Sequence, residues 1–121
     1  MRRVFFTFVL LLLAFQSALA WTHGSSSGGS APSNTALPVV TSSSPVVGTA
    51  ETATNGSWTG SPTSYTYVWK AAGTVISGAT ASTYVPVSGD IGKTITATVT
   101  AVKTGTASVS ATSAATAAVI A

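Results

Sequence analysis

SYTYVWK, residues 64–70, places a ring at every second position: Tyr65, Tyr67 and Trp69. Successive side chains of a β-strand point to opposite faces, so the three rings share one face, with Thr66, Val68 and Lys70 on the other. The rings either wall a small core or form a platform for a ligand to stack on. That choice separates a scaffold from a receptor. A buried Trp is worth about 3–5 kcal/mol on truncation, against roughly 5–15 kcal/mol for a whole domain. A domain this small needs its large side chains inside, and the core placement of Trp69 is the expectation.

Outward from that strand the pattern is all-β. TITATVTA, residues 94–101, alternates strictly, with Ile95, Ala97, Val99 and Ala101 on one face and four threonines on the other. Such a strand is half-buried and antiparallel. Weaker strands are expected at 38–41, 48–54, 74–77, 82–87 and 106–113. Asn55-Gly56, Gly60-Ser61-Pro62, Gly78 and Gly89-Asp90 mark turns. The Ala-rich end, 114–121, follows Ser/Thr alternation and is expected to form a final strand rather than a helix. Short strands spaced about ten residues apart fit two packed antiparallel sheets.

The ends of the chain read differently. Arg2 and Arg3, the apolar run 4–15 and the small-x-small site Ala18-Leu19-Ala20 together describe a secretory signal peptide over residues 1–20. As a helix that apolar run rises only about 18 Å, short of a bilayer core of roughly 30 Å. No stable membrane span is therefore expected after cleavage. Residues 21–36, rich in Ser and Gly, are expected to be a flexible linker, which leaves 37–121 as the domain. Export to the periplasm, cell surface or medium follows, and with no Cys the domain holds together without disulfides.

Without the signal, Lys70, Lys93 and Lys103 face Glu51 and Asp90, a balance of +1. Nucleic-acid binding needs clustered basic residues, and three scattered lysines exclude it. Catalysis is not expected either: one His, two acids in separate elements and no Cys offer no set of titratable groups held together. No cofactor is implied. One metal reading exists. Cleavage after Ala20 exposes Trp21-Thr22-His23, whose amine, backbone nitrogens and His23 imidazole can enclose Cu(II) or Ni(II) in a square plane. Asn55-Gly56-Ser57 also matches the N-glycosylation acceptor pattern, although the turn explains it better. Trp58 and Tyr65, with Trp21, are the candidates for stacking on a sugar.

The succession NGSWTGSPTSYTYVWK (55–70), VISGATASTYVPVSGDIGKTITATVTA (75–101) and GTASVSATSAATAAV (105–119) resembles a bacterial immunoglobulin-like domain, of the kind found in surface proteins, adhesins and phage structural proteins. The resemblance implies a sandwich of about seven strands, with Trp69 beneath the opposite sheet and Tyr84 and Ile95 flanking it. Tyr67, Ile76 and Val99 complete the implied core, and Asp90 closes the turn into the strand of Ile95. It implies a non-catalytic spacer or adhesion module at the cell envelope, with a protein or glycan partner. A carbohydrate-binding module and a remnant of a larger tandem-repeat protein are the alternatives. Two positions depart from the family pattern. Glu51 stands where Leu is usual and must reach solvent, find a lysine or take up a proton; Val68 stands where a polar residue faces out. Both imply a less stable or stickier domain, and with few charges its edge strands are open to self-association.

Overall fold

The computed structural model describes residues 29–121, so the expected signal peptide and Trp21-Thr22-His23 lie outside the described residues. The chain is all-β. Its strands are β1 (Ser33–Ala36), β2 (Glu51–Thr52), β3 (Ser57–Thr59), β4 (Ser64–Ala71), β5 (Thr74–Val75), β6 (Thr83–Tyr84), β7 (Ile95–Val102) and β8 (Val109–Thr112). The only helical element among the described residues is a 3₁₀ turn, Ser88–Asp90.

The two strictly alternating segments form the centre. β4 and β7 pair antiparallel over their full length in a four-stranded sheet of order β5-β4-β7-β8. The register sets large rings opposite small or β-branched residues: Tyr65 faces Ala101, Tyr67 faces Val99 and Trp69 faces Ala97. The alanines of β7 leave room for the rings of β4 on one shared face, where cross-strand pairs supply much of a sheet's stability. Trp69, Ile95, Ala97, Val99 and Ala101 are all fully buried. The opposite face carries Thr66, Thr98 and Thr100, and its hydroxyls pair across strands, Thr98 with Thr112 at 2.8 Å and Thr100 with Ser110 at 2.7 Å. Between β4 and β5, Ala72 (φ 49°) and Gly73 (φ 81°) form the tight turn.

Against the buried face lies a second group of pairings. β1 pairs antiparallel with β3, Val40 bridges Ala53, and β2 pairs with β6. Hydrogen bonds from Thr54 N to Val39 O (2.9 Å) and Thr41 N to Thr52 O (2.9 Å) join these pieces into one run of antiparallel contact. Val40, Ala53 and Val119 close over Trp69 and Ile95, with Tyr67, Ile76 and Tyr84 half-buried at the margin of the cluster. The Ala-rich end is extended: Thr94 bridges Ala118 antiparallel, while Ile91 and Val46 bridge Val119 and Ile120 in parallel.

One expectation needs correction. The stretch taken as linker ends in structure, because β1 falls within 21–36. Its composition hides the reason. Asn34 Nδ2 donates to both Ala36 O (2.8 Å) and Ser57 O (3.1 Å), which pins the irregular step where β1 leaves register with β3. Gly60, at φ +82°, lets Ala31 approach so closely that a Cβ there would meet its carbonyl at 2.5 Å. Glu51 takes neither of the first two routes open to it. It is 1% exposed, and its Oε2 has no hydrogen-bond partner.

A buried polar group left unsatisfied costs about 1–3 kcal/mol, while an apolar replacement of similar size gains burial. Glu51→Leu is therefore expected to raise the urea midpoint with the slope unchanged, a gain of about 1–3 kcal/mol. A lower midpoint would show that the carboxyl group is stabilising after all.

Candidate functional site

Two aromatic groups carry the polar chemistry of the described residues. The first lies where β3 meets β4. Gly56, at φ +78°, turns the chain from β2 into β3 against the main chain of Ala36, and a Cβ there would meet Ala36 O at 2.5 Å. Only glycine takes that conformation at no cost in so little space. Trp58 on β3 then packs 6.5 Å from Tyr65, with the rings tilted by 50°. Its Nε1 donates to Asn55 O at 2.7 Å, and the Tyr67 hydroxyl donates to Asn55 Oδ1 at 2.5 Å. Trp58, Tyr65 and Tyr67 are each half-buried. The indole and the Tyr67 phenol thus spend their polar ends inside the fold, on one asparagine.

The second group surrounds Trp69. Its Nε1 donates to Ala81 O at 2.9 Å, and the Tyr84 ring lies 5.7 Å away. The Tyr84 hydroxyl donates to Asp90 Oδ2 at 2.5 Å, and that same oxygen accepts from Val87 N at 3.0 Å. Asp90, itself buried, is held by the turn it closes. Both carboxyl groups of the described chain are inside, so the surface is left with lysines as its charged side chains. Lys103 donates to Gly60 O at 2.7 Å and Ser30 O at 3.4 Å, tying β1's approach to the β7–β8 turn.

Two grooves on the surface are chemically plain. One groove of about 230 Å³ runs along Pro38, Val40, Ser42 and Ala114–Ala117, and another of about 300 Å³ along Ile76, Ala79, Ala81, Thr83 and Tyr84. Small-molecule sites occupy roughly 300–1,000 Å³ and converge several polar groups. Neither groove brings together a carboxylate, imidazole or amine. No group of three metal-ligating side chains occurs among the described residues. His23, the residue of the copper or nickel reading, lies outside them.

The stacking candidates are brought together, Trp58 on Tyr65, but as a packed pair with the indole N–H engaged. Asn55 is the residue that sequence reasoning under-read. Its turn role was visible, whereas its bonds to Trp58 and Tyr67 depend on how β3 folds onto β4. No protein-family model, curated protein or solved structure matches the chain.

Burial first, then the hydrogen bond from Tyr84 and the negative charge of Asp90, push the Tyr84 hydroxyl up from 10.0 to about 12. The folded value exceeds the unfolded one, so this contribution to stability is complete below pH 10.0 and is lost as the pH climbs to about 12. Absorbance titration of tyrosinate, with Tyr84→Phe to assign the signal, should show the Tyr84 phenol ionising late and brought to lower pH by Asp90→Asn. Ionisation of Tyr84 near the ordinary value would contradict the Tyr84–Asp90 contact.

Proposed function

We propose that this chain is an exported, non-catalytic immunoglobulin-like β-sandwich that serves as a spacer or interaction module at the cell envelope. The observation that carries the reading is the internal use of the aromatic stripe. Trp69 is sealed, and Trp58 and Tyr67 give their polar hydrogens to Asn55. A stacking receptor keeps its rings free; a scaffold spends them on its own core.

The strand pairings support the sandwich. One layer follows 33–41, 51–59 and 83–84, and the other follows β5, β4, β7 and β8. The parallel bridge from Val46 to Ile120 links the two layers at their edge, as expected where an early strand crosses to pair with the last. Export rests on Arg2, Arg3, the apolar run and the small-x-small site. No helix among the described residues is long and apolar enough to cross a membrane.

The carbohydrate-binding reading keeps one foothold, the half-buried Trp58–Tyr65 pair at the end of the sheet. A glycan array probed with the purified chain separates the two. A scaffold gives no glycan signal above background. Binding that disappears in Trp58→Ala, with the circular dichroism spectrum intact, would replace the spacer with a lectin-like module.

A further inference from the structure

Asn55-Gly56 joins two elements through the one dipeptide in which a side-chain amide carbon can be attacked by the next backbone nitrogen with no side chain in the way. Asn55 is half-buried and held at both of its oxygens, Oδ1 by the Tyr67 hydroxyl at 2.5 Å and the main-chain carbonyl by Trp58 Nε1 at 2.7 Å. Gly56 has no spare room: a Cβ there would lie 2.5 Å from Ala36 O and 2.9 Å from Pro38 N. We propose that Asn55-Gly56 is a self-modification site, at which Asn55 converts to aspartate or isoaspartate and the Tyr67 hydroxyl is the latch that sets the rate in the folded protein.

The chemistry needs only water. The Gly56 amide nitrogen forms a bond to Asn55 Cγ, and the side-chain nitrogen leaves as ammonia, carrying away the proton that Gly56 gives up. The cyclic imide that results is opened by one water molecule. Attack at the side-chain carbonyl gives aspartate, and attack at the main-chain carbonyl gives isoaspartate. To turn Cγ toward the Gly56 nitrogen, the amide must give up the Tyr67 hydroxyl, so the reaction proceeds from a locally opened state whose population the latch controls.

The two products meet different fates. Aspartate keeps an oxygen where Tyr67 needs an acceptor, so the contact survives with one more negative charge. Isoaspartate lengthens the main chain by one carbon at a point where the backbone is already in contact with Ala36 and Pro38. The following residues pair with β1, Ser57 with Ala36 and Trp58 with Asn34. Isoaspartate therefore unseats β1 from β3, releasing the segment that carries the chain into the domain.

The full chain, incubated at neutral pH natively and in urea, tests this by peptide mass spectrometry for amide-to-acid conversion at residue 55. Conversion is expected to be faster in urea than in the native state. Tyr67→Phe, folded by circular dichroism, is expected to speed the native reaction about five- to tenfold, the worth of one hydrogen bond, and to leave the urea rate alone. Where that variant does not fold, Trp58→Phe, which keeps a ring and loses the bond to Asn55 O, should likewise speed the native reaction. Chromatographically separated isoaspartate protein is expected to lose amide-exchange protection through β1 and β3, and the aspartate form to retain it. Equal rates in native protein and urea, an unchanged native rate in the folded latch variant, or no conversion in urea would each overturn the proposal.

Discussion

Trp69 sits near the end of β4 with no exposed surface, between Ala97 on the neighbouring strand and the Tyr84 ring of β6. Much of the structure is arranged around making that possible. Ala97 opposite the indole, and Ala71 two residues along β4, give the ring space that a larger residue would deny. The indole N–H, which would be costly to bury unpaired, is met by Ala81 O from the irregular segment between β5 and β6. One side chain thereby fixes the central sheet, the strand that faces it and the connection between them. In a core built mostly from Ala and Val, losing about 3–5 kcal/mol at one position would remove a large share of the stability available.

The same economy governs the polar groups. Asp90 satisfies Val87 N and the Tyr84 hydroxyl with a single oxygen, so one buried acid both closes the turn before β7 and anchors the ring that packs on Trp69. Asn55 does the corresponding work at the other aromatic group. These two turn residues are each tied to aromatic side chains, in a fold without disulfides. Glu51 is the exception, a carboxyl group inside the fold with one oxygen unmet.

How much of this was legible follows from how local each signal is. β4 and β7 announce themselves because strict alternation over eight residues is a property of the strand alone. The short strands β2, β5 and β6 hold two residues each, and their limits are set by where a partner happens to run, so sequence located them only coarsely. β1 was lost inside a Ser/Gly-rich stretch because its order comes from β3 and from the Asn34 side chain, neither of which composition registers. At the candidate site, Asn55-Gly56 was readable as a turn from two residues. That Asn55 also receives Tyr67, twelve positions away, depends on β3 folding back over β4. The identity of a partner is written on the surface, and this surface of hydroxyls, scattered lysines and exposed aliphatic side chains such as Leu37, Val39 and Ile91 carries no pattern that names one.

The burial of Trp69 is most directly tested by iodide quenching of a variant in which Trp21 and Trp58 are replaced by Phe, leaving Trp69 as the sole indole. Burial of the indole predicts blue-shifted emission that iodide leaves untouched until urea unfolds the chain. Quenching of the folded variant as efficient as that of free indole would place the ring in water and contradict the core built around Trp69.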